Sequence, residues 1–178
     1  MRIVQKILIF ASIAMAITYF IYTLSFSSGW ALGSQWLGDF YPAAQTVNKL
    51  LFKWALWGVI FSAVGIVFNT HSNRNYFVPN FLFIFLNVGC FIKSGLDLLR
   101  EIPVVKDMYL ALDPFWLDFI TQANLSGAPS TRIFDLGITL AYLLFAFSGV
   151  LIIFSMYKFV SQLIRAKAKK QRRLEAEQ

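Results

Sequence analysis

The chain has 178 residues, of which 58% are hydrophobic and 14% are charged, and it carries a formal net charge of +7. Because soluble domains contain about 25% charged residues, this composition argues against a soluble globular protein and indicates an integral membrane protein. The single cysteine and single histidine are too few for an internal disulfide or for a multi-histidine metal or haem site, so we predict no cofactor and no metal.

Long apolar runs predict membrane-spanning helices. A helix needs about 20 residues to cross a hydrocarbon core about 30 Å thick. In lipid, a helix satisfies all the backbone hydrogen bonds of such a run within the run itself. We predict an all-α integral membrane protein, a four-transmembrane-helix bundle over residues 1–160 with a basic helical tail over 161–178. The predicted spans are about 7–26, 50–68, 81–99 and 136–159.

The first span leads into an outer loop that is rich in glycine and aromatic residues and contains Trp30 and Trp36. All five tryptophans of the chain fall in the outer half of this topology. Two interpretations stay open. The tryptophans form an interfacial aromatic belt, or they form a surface for a protein partner, in which tryptophan is a favoured anchor.

The second span contains two small residues at the small-xxx-small spacing, Gly58 and Ser62. Small residues at this spacing let transmembrane helices approach closely, within one chain or between chains. Lys53 lies about one turn into the predicted span, where its stem can carry the ammonium group to the headgroups.

The third span carries the strongest polar signals. Asn87 lies deep in the apolar run and predicts a hydrogen bond to a neighbouring helix or, alternatively, a substrate contact. Lys93 and Asp97 share a helix face at i, i+4. Because Lys93 lies about two turns below the outer end of this span, it too is expected to reach the headgroups. We therefore expect no ionisable side chain near the bilayer midplane.

The second outer loop, about residues 100–132, is too long to lack structure of its own. Pro103 is expected to end the third helix near Glu101, and Asp113 with Pro114 then forms a helix-start signal. An apolar face follows, formed by Phe115, Trp116, Phe119 and Ile120. We predict a short amphipathic helix over residues 114–123 that lies on the membrane, caps the bundle or docks on a partner. Asn124 begins a glycosylation sequon, a pattern too short to carry weight.

The fourth span opens with Arg132 and Asp135 at i, i+3. Together with Lys93 and Asp97 they are candidates for polar contacts that join the third helix to the fourth or line a hydrophilic vestibule. The tail that follows is basic and is expected to anchor the topology by attraction to anionic lipids. It lacks the aromatic residues and the folded surface that nucleic-acid binding requires.

The charge distribution predicts the orientation. With both termini in the cytoplasm, the cytoplasmic segments hold ten basic and two acidic residues, and the opposite side holds six basic and seven acidic residues. This asymmetry follows the positive-inside rule and predicts two cytoplasmic termini in a bacterial cytoplasmic membrane.

The sequence contains no paired carboxylates within a span, no nucleophile with its base and no phosphate-binding loop, so we predict that the chain is not an enzyme. We predict a non-catalytic accessory or structural subunit of a multisubunit membrane complex, a transport assembly in particular. The expected partners are membrane lipids and other integral membrane subunits, and a homo-oligomer is open. The alternative is a small homo-oligomeric channel or carrier.

In size and in having both termini in the cytoplasm, the predicted bundle resembles the small membrane subunit of tripartite ATP-independent (TRAP) transporters. The resemblance is one of architecture and implies a membrane subunit of a transporter. The long second outer loop departs from that pattern, and no motif aligns residue by residue.

Overall fold

The computed structural model describes residues 2–28, 30, 37–70, 77–113, 115 and 131–176. In these residues the chain forms four long helices and no strand. They are α1 (Arg2–Ser28), α2 (Phe40–Thr70), α3 (Phe77–Leu110) and α4 (Arg132–Ala176). Each contains a stretch long and apolar enough to cross a membrane: Ile3–Phe26, Phe40–Val67, Phe81–Leu110 and Arg132–Gln162. The prediction of an all-helical protein with four long apolar helices is therefore confirmed.

All four helices extend beyond their predicted spans, and two of them, α2 and α3, each take in more than ten residues of the predicted loops. α2 begins at Phe40, well before Leu50, and α3 continues to Leu110, so the prediction that Pro103 ends α3 near Glu101 was wrong. Proline inside a helix costs about 3 kcal/mol. On either side of Pro103, Ile102 and Val105 are fully buried, and this packing holds α3 together through the proline.

The longer helices change the positions of two lysines. Lys53 lies at the middle of the apolar stretch Phe40–Val67, and Lys93 lies near the middle of Phe81–Leu110. Neither is close to a helix end. The two lysines were expected near the outer ends of their spans because the predicted spans, 50–68 and 81–99, are shorter than the helices.

The helices pack in chain order as antiparallel neighbours. α2 packs against α1 and α3, and α3 packs against α2 and α4. α1 and α4 make a smaller contact, which we call the seam between α1 and α4. Halfway along the bundle, a Cβ atom placed on Gly58 would stand 3.5 Å from the Phe91 ring and 3.9 Å from the Ala16 Cβ. The Phe91 ring in turn lies 6.1 Å from that of Phe147. We call Ala16, Gly58, Phe91 and Phe147, one residue from each helix, the middle layer.

Aromatic side chains fill the end of the bundle where α1 and α3 end and α2 and α4 begin, which we call the Trp30 end. Trp30 is 2% exposed and stacks on Phe134 with ring centroids 5.6 Å apart. Edge contacts join it to Phe26 at 5.5 Å and to Phe40 at 5.1 Å. A tight turn at Gly38, whose φ of 48° is left-handed, leads the chain into α2 beside this cluster.

The opposite end, where the chain starts and α4 continues outward, is the tail end. Here the Lys158 ammonium donates to the Gln5 side-chain oxygen and ties α4 to α1. α4 has 45 residues and runs on past the apolar stretch that ends at Gln162. At about 1.5 Å per residue it is about 67 Å long, more than twice the thickness of a hydrocarbon core.

Large apolar side chains cover the outside of the bundle as well as its interior. On α1, Ile7, Phe10 and Ile21 are each about 60% exposed, and on α4 Ile153 is 72% exposed. Soluble monomers rarely expose continuous apolar faces of this extent, and such faces mark contact with lipid or with other proteins. The exterior of the fold is therefore apolar, and its exposure to water would be unfavourable.

Candidate functional site

One group of polar side chains lies between α1, α2 and α3, on the Trp30 side of the middle layer. We call Tyr19, Trp54, Lys93, Ser94 and Asp97 the polar cluster. Lys93, Ser94 and Asp97 lie at i, i+1 and i+4 on α3, so one turn of this helix supplies three members. The other two come from the facing sides of α1 and α2.

An ion pair lies at the centre of this cluster. The Lys93 ammonium donates to Asp97 Oδ1, and the aspartate side chain is 6% exposed while the lysine side chain is 45% exposed. The pair therefore spans the boundary of the bundle, with its negative end inside and its positive end at the surface. Burying the carboxylate is tolerable because the ammonium compensates its charge.

The neighbouring helices supply hydrogen-bonding groups around the pair. The Tyr19 hydroxyl donates to the Leu51 carbonyl oxygen at 3.2 Å and lies close to Ser94 and Asp97. Asp97 Oδ2 is buried without a hydrogen-bond partner among the described residues. This carboxylate oxygen can therefore accept a further hydrogen bond.

On the exposed side of the cluster, Trp54 contacts two cations. The Lys93 ammonium lies 6.0 Å from the centre of the Trp54 ring, and the Lys53 ammonium lies 5.6 Å from it. Both distances fall within the range of a cation–π contact. Lys53, which the sequence analysis treated as a headgroup anchor, belongs to the same surface as Lys93.

The predicted helix contacts occupy different environments. Asn87 is buried, and its side-chain oxygen has no hydrogen-bond partner among the described residues. Gly58 lies in the middle layer against Ala16, and Ser62 is buried one turn further along α2. Arg132 is exposed at the start of α4. Asp135 accepts a hydrogen bond from Lys106 of α3 at 2.7 Å, which joins α3 to α4.

The structure describes two of the five residues proposed for a partner surface, Trp30 and Phe115. Trp30 lies inside the aromatic cluster, so its indole packs within the chain and is not presented to a partner. Phe115 is 66% exposed, and its backbone N–H donates to Asp113 Oδ1 at 2.9 Å, the contact expected of a helix N-cap. Trp36, Trp116 and Phe119, with most of the predicted helix 114–123, lie outside the described residues.

Sequence reasoning missed Tyr19, Tyr22 and Lys106. The tyrosines lie with Phe26 at i, i+3 and i+7 on one face of α1, a spacing that was available as a signal. The Tyr22 hydroxyl donates to the Ile133 carbonyl oxygen at 3.3 Å and crosses the seam between α1 and α4. Lys106 was missed because α3 was expected to end at Pro103.

The described residues contain no group of three or more His, Cys, Asp or Glu side chains that could hold a metal ion. Chemically, the polar cluster offers a half-exposed ammonium and a buried carboxylate, and the neighbouring Lys53 adds a second exposed ammonium. Comparisons of this chain with protein-family models, with curated proteins and with solved structures find no match.

Proposed function

We propose that this protein is a non-catalytic subunit of a multisubunit membrane complex, a transport assembly in a bacterial cytoplasmic membrane, with both termini in the cytoplasm. The observation that carries the proposal is a bundle with a packed interior and apolar side chains over its exterior. Such a molecule offers surfaces for lipid and for other membrane helices, and it offers little room for a substrate of its own.

Charged residues on both sides of the middle layer support the membrane placement. On the tail side, Lys6 and Lys158 lie ten and eleven residues from this layer. On the Trp30 side, Lys49 and Arg100 lie nine residues from it. At about 1.5 Å per residue, these positions are about 15 Å and about 14 Å from the layer. Together they match a hydrocarbon core about 30 Å thick, centred close to the middle layer.

The packing of the interior favours a subunit over a conduit. At the middle layer a glycine, an alanine and two phenylalanine rings fill the space between the helices. At the Trp30 end, Phe26, Trp30 and Phe134 are each at most 2% exposed. A polar path along the axis of a single copy would have to pass through both of these apolar layers.

One observation favours the alternative of a small homo-oligomeric channel or carrier. Lys53 and Lys93 are exposed on the outside of the bundle, within the apolar stretches of α2 and α3. In an oligomer, copies of this face arranged around an axis would line a polar path between chains. In the channel alternative, further copies of this chain cover the face between α2 and α3. In the subunit proposal, lipid or another protein covers it.

Native mass measurement after extraction in a mild detergent separates these functions. The subunit proposal predicts that a second integral membrane protein co-purifies at a fixed stoichiometry, and that Phe115→Ser weakens the complex while Trp57→Ser, a matched exposed aromatic on α2, leaves it intact. Recovery of this chain alone, as a defined homo-oligomer that conducts ions in liposomes, would overturn the proposal and support the channel.

A further inference from the structure

Two lysine ammonium groups share one indole on the exposed face between α2 and α3. Because Lys53 Nζ and Lys93 Nζ each lie within 6.0 Å of the centre of the Trp54 ring, they are at most about 12 Å apart. Both side chains are exposed. This surface, Lys53, Trp54 and Lys93, is the basic face.

The charges on this face do not balance. Lys93 is neutralised by Asp97, but no carboxylate among the described residues pairs with Lys53. A cation within an apolar helix costs a few kcal/mol in a bilayer unless it finds water or a counterion. One positive charge on the basic face is therefore left for water or for an anion from outside the described residues.

The depth of Lys53 identifies the source of that anion. Its Cα lies five residues from Gly58, about 7.5 Å toward the Trp30 end from the middle layer. A lysine stem that turns toward the Trp30 end reaches about 6 Å further, which is close to the edge of a hydrocarbon core whose half-thickness is about 15 Å. The headgroup region, which contains the phospholipid phosphates, begins at this edge.

Apolar side chains continue the basic face toward the middle of the bundle. Leu56 and Trp57 on α2 are 41% and 43% exposed and lie between Lys53 and the middle layer. They offer a surface for acyl chains below Lys53. A lipid satisfies the charge and the apolar surface together, whereas a soluble anion satisfies the charge alone.

We propose that the basic face binds the phosphate headgroup of an anionic phospholipid in the leaflet at the Trp30 end. Lys53 supplies the unpaired charge, Lys93 the second cation, and Trp54 holds both ammonium groups in place. The proposal rests on the membrane placement given under the proposed function, and it holds whether the chain works as a subunit or as a homo-oligomer.

The test uses the purified full chain, delipidated in mild detergent and titrated with phosphatidylglycerol or phosphatidylcholine, with bound lipid counted by native mass spectrometry. We expect phosphatidylglycerol to bind more tightly. Lys53→Gln should weaken its binding about fivefold, the effect of one basic residue near a lipid surface, and Lys53→Arg should retain it. Arg132→Gln removes the same charge from an exposed site on α4 and should leave the affinity unchanged.

Lys53→Gln removes an exposed charge, so its melting temperature in phosphatidylcholine should equal or exceed that of the wild type, which shows that the variant is folded. Equal binding of the two lipids by the wild type would overturn the proposal. So would equal losses in Lys53→Gln and Arg132→Gln. If Lys53→Gln keeps its lipid and loses a co-purifying protein, the basic face belongs to a protein partner and the lipid site is wrong.

Discussion

At the scale of single residues, Trp30 fits two interpretations, an anchor for a protein partner or a core residue. Only its packing in the structure distinguishes them. In the sequence it stands among glycines in a predicted outer loop, and this position is typical of an interface anchor. In the structure its indole contacts Phe26, Phe40, Tyr109 and Phe134 and is 2% exposed. Residue type alone does not distinguish these environments, because tryptophan is favoured in cores, at lipid interfaces and at protein interfaces alike.

A pair of substitutions measures the role of this tryptophan. Trp30→Ala empties the aromatic cluster and should lower the free energy of unfolding by about 3 to 5 kcal/mol. Trp57→Ala removes an indole that is 43% exposed and stacked on Phe61, and it should cost less than about 1 kcal/mol. Thermal unfolding of both variants in detergent provides the comparison. Equal losses would show that Trp30 is not a core residue.

The Lys93–Asp97 pair predicts an asymmetric response, because one end is buried and the other half exposed. Lys93→Met strands a buried carboxylate and should cost about 3 kcal/mol. Asp97→Asn leaves an ammonium that can turn toward headgroups and should cost about 1 kcal/mol. Replacing both, Lys93→Met with Asp97→Asn, should cost clearly less than the two single losses together, because no uncompensated charge remains.

Equilibrium unfolding of the two single variants and the double variant tests this prediction as a cycle. Additive losses in the double variant would indicate that the two side chains do not interact. A larger loss for Asp97→Asn than for Lys93→Met would show that the carboxylate is not the buried partner.

At the scale of helices, their number was predictable and their ends were not. A hydropathy run locates the centre of a span, but α2 begins earlier, where Phe40, Ala44, Val47 and Leu51 recur at helical spacing and are all buried. This stripe was present in the sequence, although the polar residues between its members break the apolar run. The end of α3 depends on Tyr109 packing on Trp30, a contact between distant residues that no local pattern contains.

The seam between α1 and α4 depends on Gly137. A Cβ at this position would lie 2.9 Å from Tyr22 Cζ and closer still to the hydroxyl, whereas a Cβ at Gly58 meets nothing nearer than 3.5 Å. Gly137→Ala should therefore cost about 1 to 3 kcal/mol, the usual penalty of overpacking. Gly58→Ala, the matched control, should stay within about 0.5 kcal/mol.

Removal of the Tyr22 hydroxyl identifies the cause of that loss. Tyr22→Phe deletes the atom nearest to the new methyl group, so the double variant Tyr22→Phe with Gly137→Ala should recover part of the stability lost by Gly137→Ala alone. Melting temperatures of the three variants measure the recovery. If Gly137→Ala is tolerated as well as Gly58→Ala, α1 and α4 do not meet as described.

For the whole molecule, composition and hydropathy were sufficient to predict an all-helical protein with four long apolar helices, because in lipid the backbone leaves few alternatives. The polar cluster was predictable in part. Lys93 and Asp97 share a helix face, which follows from sequence spacing, but their partners Tyr19 and Trp54 come from other helices. Which faces of these helices meet depends on shape, and sequence spacing does not encode it.

The central claim is that the four described helices cross a membrane as one bundle with both chain termini in the cytoplasm. The most direct measurement is labelling of single cysteines with a membrane-impermeant maleimide in a Cys90→Ala background, at Arg132→Cys and at Lys167→Cys, both exposed positions. We predict that Arg132→Cys reacts in intact cells and that Lys167→Cys reacts only after permeabilisation. Equal labelling of both sites, or labelling of Lys167→Cys in intact cells, would contradict the account.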